Sequence, residues 1–61
     1  MPVVRVSMWS GTTQQQKAEL ALLITRAISK VIQAPPDATI VIFDDIAKHN
    51  WARSGILYTD D

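Results

Sequence analysis

Two stretches of the chain carry strand-like hydrophobic patterns, and a long helical one lies between them. The first stretch, Met1 to Trp9, is rich in β-branched and aromatic residues (Val3, Val4, Val6, Trp9) and predicts a strand. Pro2 is tolerated at its start, where the ladder needs no donor. Ser10-Gly11-Thr12-Thr13 then reads as a turn into a helix. Thr12 with Gln15, or Thr13 with Gln16, fits a capping box, in which hydroxyl and amide satisfy backbone N–H groups that lack intrahelical partners. The helix is predicted to run to about Gln33, because Pro35-Pro36 cannot continue it. At about 100° per residue, Leu20, Ala21, Leu23, Ile24, Ala27, Ile28, Val31 and Ile32 cover roughly half the circumference. Glu19, Arg26, Ser29, Lys30 and Gln33 fill the other half, with Leu22 among them. One helix on two strands does not require so wide a stripe. It implies either a second partner surface, such as another subunit, or a generously packed core.

The second strand-like stretch is Thr39-Ile40-Val41-Ile42-Phe43, an unbroken apolar run that predicts a strand covered on both faces. Strand, long helix and strand make a βαβ unit with parallel strands. Alone, such a unit leaves one sheet face bare and both edges open, which assembly would remedy. Asp44-Asp45 is expected to close the strand as a solvated end. Ala47-Lys48-His49-Asn50 reads as a short turn or single helical turn, and Trp51 to Tyr58 as a small hairpin bending at Ser54-Gly55. An aromatic, an arginine and a tyrosine on so short an arm suggest that it docks on a neighbouring subunit. The fold class expected is therefore α/β: a single β-α-β unit with a short C-terminal hairpin, one domain over residues 1–61, its sheets completed by oligomerisation.

Composition narrows the picture. A chain of 61 residues buries only roughly 60% of its unfolded surface, so small domains commonly add disulfides, metal or oligomerisation. With no cysteine and one histidine, disulfides and a Cys/His zinc site are excluded, while 48% hydrophobic residues favour self-association. Six basic and six acidic residues cancel, with no basic run, which argues against nucleic-acid binding. No apolar run approaches the ~20 residues of a membrane span and no signal-peptide pattern opens the chain, so a cytoplasmic protein without membrane contact is expected.

Candidate chemistry begins at Pro2. Initiator methionine is usually removed before a residue as small as proline, which would leave a secondary amine at the start of a strand. A neutral amine against an apolar wall could act as a general base near neutral pH, although a Met-Pro start by itself points to nothing further. His49 has no evident second ligand or nucleophile and reads as a turn or interface histidine. Asp44 and Asp45 are adjacent in a strand and face opposite ways, so they are not a working pair.

The order and spacing of several residues resemble the 4-oxalocrotonate tautomerase family, the short-chain members of the tautomerase superfamily. The resemblance rests on Pro2, Gly11, Gln16-Lys17, Ala27-Ile28-Ser29, Ala34-Pro35, Ala47-Lys48 with Trp51 three residues on, and Gly55. It covers nearly the whole chain. It implies a homohexamer, a trimer of dimers, in which Pro2 is the catalytic base for enol–keto isomerisation of a small carbonyl substrate without metal or organic cofactor.

The departures bear on the substrate. Where dicarboxylate-using members carry arginines, this chain has Thr12 and Ile40. Those arginines hold carboxylates and draw charge toward the developing enolate. The resemblance makes Trp51 the aromatic wall of the pocket, in place of the usual phenylalanine. It sets Trp9 and Arg53 where aliphatic residues usually line the pocket. Trp9 and Trp51 could equally pack an interface, and Arg53 could be a solvated hairpin charge. The candidate site is thus Pro2 as base, with Arg53, Trp51, Trp9, Thr12 and Ile40 around the substrate. A 2-oxo monoacid such as an aryl pyruvate would suit it. The alternatives are a superfamily hydratase or dehalogenase using the same proline as an acid, or a non-catalytic oligomeric homologue. Dehalogenases of this kind need a carboxylate near the proline and paired arginines, and neither stands at a matching position.

Overall fold

In the computed structural model, which describes residues 1–59, two seven-residue parallel strands flank one long helix. Strand β1 is Val3–Trp9 and β2 is Ile40–Ile46, paired in register from Val3 opposite Ile40 to Trp9 opposite Ile46. The expected β-α-β unit with a C-terminal strand pair is what forms. Asp60 and Asp61, the end of the expected domain, lie outside the described residues.

Helix α1 is Gln14–Ile32. Of the two capping boxes the sequence allows, Thr13 with Gln16 forms: the Gln16 N–H donates to Thr13 Oγ1 at 3.1 Å and the Thr13 N–H donates to Gln16 Oε1 at 3.0 Å. At the other end Gln33 turns into the left-handed region (φ 65°, ψ 28°) and ends the helix before the Ala34-Pro35-Pro36 break.

Strand β2 is longer than its apolar run predicts, and this corrects the reading of Asp44 and Asp45. Both lie inside the strand, because β1 continues to Trp9 and supplies pairing partners as far as Ile46. Alternation sends the two carboxylates to opposite faces, as expected. Each finds a cation rather than bulk water alone: Asp44 pairs with Arg5 at 3.1 Å, and Asp45 with Lys17 of α1. The second pair identifies the face carrying Val4, Val6, Met8, Val41, Phe43 and Asp45 as the one turned to the helix. Val3, Arg5, Ser7, Trp9, Ile40, Ile42, Asp44 and Ile46 share the opposite face, which no helix of this chain covers.

Lys48–Asn50 forms a single 3-10 turn, and the predicted hairpin follows as β3 (Ala52–Arg53) and β4 (Ile56–Leu57). Its two-residue loop, Ser54-Gly55, has φ of 55° and 78°. Two successive positive values are those of a type I′ turn, whose twist suits an antiparallel pair.

Among the described residues no side chain is buried in the chain by itself. The accessible surface is 4870 Å², against about 4,000 Å² for a folded monomer of this mass. The radius of gyration is 14.5 Å, against about 10–11 Å for a self-contained domain of this length. The unit measures 42 × 25 × 14 Å, an open plate.

Candidate active site

Strand register sorts the candidate residues into two groups. Pro2 immediately precedes β1, and its carbonyl accepts a hydrogen bond from the Ile40 N–H at 3.0 Å. Pro2 and Ile40 therefore meet at the amino end of the sheet. Trp9 ends the same strand seven residues later, about 23 Å away at the usual rise of a strand.

A second group gathers around Trp9. The Trp51 ring meets it edge-on, with centroids 5.8 Å apart and planes at 76°. Tyr58 lies tilted against the same indole at 5.2 Å, and Lys48 Nζ sits 5.2 Å from its ring centroid. Backbone bonds hold this end together. The Ser10 N–H donates to the Ile46 carbonyl at 3.1 Å, continuing the ladder past Trp9. The Trp51 N–H donates to the Lys48 carbonyl at 3.0 Å, and the Tyr58 N–H to the Trp51 carbonyl at 2.8 Å.

Thr12 belongs to the same end. It follows Gly11, whose φ of 120° suits a residue without a side chain. It also edges an open groove of about 340 Å³ that continues along Gln16, Glu19, Leu20 and Leu23 of α1. Arg53, in β3 and opposite Ile56, is exposed, and its guanidinium forms no hydrogen bond or ion pair among the described residues. His49 is exposed in the 3-10 turn.

Within one chain, then, Trp9 and Trp51 come together at the end of β1 that leads into Thr12, and Pro2 meets Ile40, but the two groups stay a strand length apart. Tyr58 was not among the site candidates, and Lys48, on a turn, ranked behind Arg53 as the substrate cation, yet both touch Trp9. For Tyr58 the signal was in the sequence: Trp51 and Tyr58 stand equally far from the Ser54-Gly55 bend, the spacing of a cross-strand aromatic pair. Lys48 had no such signal, because its contact depends on how the 3-10 turn lies over β1.

Comparison with known proteins bears on this arrangement. A family model described as "Tautomerase enzyme" matches residues 2–60. A probable tautomerase of Ralstonia nicotianae is 41% identical over 61 residues, which is 100% of this chain and 94% of that protein. Among solved structures, the chain is similar to a 4-oxalocrotonate tautomerase homologue with a TM-score of 0.91 at 28% identity, covering 100% of this chain and 97% of that one. It is also similar to a chain of a heterohexamer 4-oxalocrotonate tautomerase from Chloroflexus aurantiacus, with a TM-score of 0.86 at 28% identity and coverage of 93% and 92%. The parallel βαβ plate with its terminal hairpin is thus the fold of the 4-oxalocrotonate tautomerase homologues, and this chain belongs to the tautomerase family.

Proposed function

We propose that the protein is a cofactor-independent tautomerase acting on a 2-oxo acid or a related carbonyl compound. Its base is the Pro2 amine, exposed once Met1 is removed. The observation that carries this reading is the position of Pro2 in a chain of this family: its carbonyl is tied to the Ile40 N–H, so the residue stands at a fixed place against the sheet edge. In the proposed reaction the Pro2 nitrogen takes the enol hydroxyl proton. The oxygen's electron pair forms the C=O bond, the C=C pair shifts to carbon, and the proton returns to that carbon. No atoms or electrons are gained or lost.

The strand length between Pro2 and the Trp9 group supports a site shared between copies, in which Trp9, Thr12 and Trp51 of one chain face Pro2 of another. The open plate and its uncovered sheet face favour self-association, and a homohexamer fits the heterohexamer named for a structural relative. With Thr12 and Ile40 unable to hold a carboxylate as arginine does, Arg53 is the proposed cation for the substrate acid. Its guanidinium has no competing partner among the described residues.

The test combines intact mass with kinetics. Protein from a bacterial host is expected to start at Pro2 and to convert the enol of a 2-oxo acid to its ketone faster than buffer does. Complete loss of Met1 without any such conversion would remove the reading.

A further inference from the structure

The sheet face that no helix covers carries one ion pair, between Arg5 and Asp44, with apolar side chains on either side of it. Val3 and Ile40 flank it toward the amino end, and Trp9 and Ile46 toward the carboxyl end. The pair is reachable, its side chains being 65% and 32% exposed. It also has bonding capacity to spare. Arg5 Nη2 donates to Asp44 Oδ1 at 3.1 Å, and neither side chain has another hydrogen bond among the described residues. A guanidinium carries about five N–H donors and an ionised carboxylate accepts about four bonds, so each can take a partner outside the chain. Within one chain an exposed pair of this kind stabilises little. Under a covering surface it matters more, because a buried charge must keep its partner.

Whatever covers this face meets an acid and a base side by side. A strongly charged partner of either sign would be repelled by one of them. A second copy of this chain offers both. In a contact with two-fold symmetry, residue i of one copy meets j of the other and j meets i, so each guanidinium can lie against the other copy's carboxylate. The accessible surface also exceeds that of a folded monomer by roughly 900 Å², about what each partner gives up in a standard interface. We propose that the helix-free face is a contact between two copies of this chain, in which Arg5 of each pairs with Asp44 of the other. Val3, Ile40, Ile42 and Ile46 supply non-directional burial, and the crossed ion pairs set the register that burial by itself leaves loose. This rests on the self-association part of the functional reading and not on its chemistry.

Charge reversal in the full chain tests it, read by light scattering over a dilution series. Arg5→Glu leaves two acids on the face, and Asp44→Lys leaves two bases. Each variant by itself should lose the assembly at micromolar concentration, its dissociation midpoint rising at least about a hundredfold. Mixed in equal amounts, the two should assemble again, within about tenfold of the unaltered protein, because each acid then meets a base on the other chain. A pair acting only inside one chain predicts no such rescue, since mixing changes nothing within either chain. Refolding the two together from urea gives the same readout where either variant is unfolded by itself. Assembly unaffected by both changes, or a mixture no better assembled than its components, would overturn the proposal. Enol turnover is assayed separately. Rescue by mixing, with no turnover by the unaltered protein, would leave the contact standing while removing the Pro2 reading. Turnover with assembly indifferent to both charges would do the reverse.

Discussion

At Pro2, position and chemical state act together. An acylated proline nitrogen is an amide and cannot accept a proton, while the same atom freed of Met1 is a secondary amine at a fixed point of the sheet. Pro2→Ala keeps an amine but loses the ring that restricts its motion, so kcat/KM for an enol substrate is expected to fall by roughly 10²–10⁴-fold, the usual scale of general-base catalysis. Steady-state assay of Met1-free protein checks this, and a loss of less than threefold would argue against Pro2 as the base. Arg53 allows a sharper experiment, because its exposed guanidinium is unpaired among the described residues. Arg53→Ala should cost about 1.5–3 kcal/mol of transition-state binding for a carboxylated substrate and much less for an uncharged enol of similar shape. Equal losses on both substrates would make Arg53 structural.

At the scale of elements, the ends of α1 set its length. The reciprocal Thr13–Gln16 box satisfies two N–H groups that would otherwise lack partners, so Thr13→Ala should lower stability by about 1 kcal/mol in urea unfolding. Gln33 is the opposite case, a residue with a side chain held at φ 65° where glycine would be free of strain. Gln33→Gly should therefore raise stability by roughly 0.5–1 kcal/mol, the relief of left-handed strain outweighing the added freedom of the unfolded chain. If it destabilises instead, the strain at this cap is negligible. The exposed Arg5–Asp44 pair is a weaker element, worth about 0–1 kcal/mol.

For the whole molecule, the governing fact is how little one chain covers. Val3 and Ile40 stand opposite each other on the helix-free face, 52% and 40% exposed, and Leu22, Val31 and Ile32 of α1 are also open. An accessible surface roughly 900 Å² above that of a folded monomer is of the size a specific interface removes from each partner. Light scattering is expected to give six times the chain mass at micromolar concentration, with a melting temperature that rises with protein concentration. A monomer with a concentration-independent transition would contradict both the assembly and the shared site. No helix among the described residues is long and apolar enough to cross a membrane.

The parts legible in the sequence were those set by neighbours a few residues apart. The β-branched run of β1, the period of α1, a capping box at its start and the bend at Ser54-Gly55 each depend on local sterics and hydrogen bonding, although which of the two possible boxes forms was seen only in the structure. The βαβ order then made the strands parallel. What the tertiary structure decided was whatever depends on which residue lies across from which. Asp44 and Asp45 are strand residues only because β1 pairs as far as Trp9 opposite Ile46, a register that no local preference of two aspartates encodes. The same register returns the chain after β2 to the carboxyl end of β1, and there Lys48, Trp51 and Tyr58 close on Trp9, while Pro2 is left at the far end. Local propensity acts over one or two turns of backbone. The cluster of residues 9, 48, 51 and 58 exists only once non-local strand pairing has fixed where the chain returns.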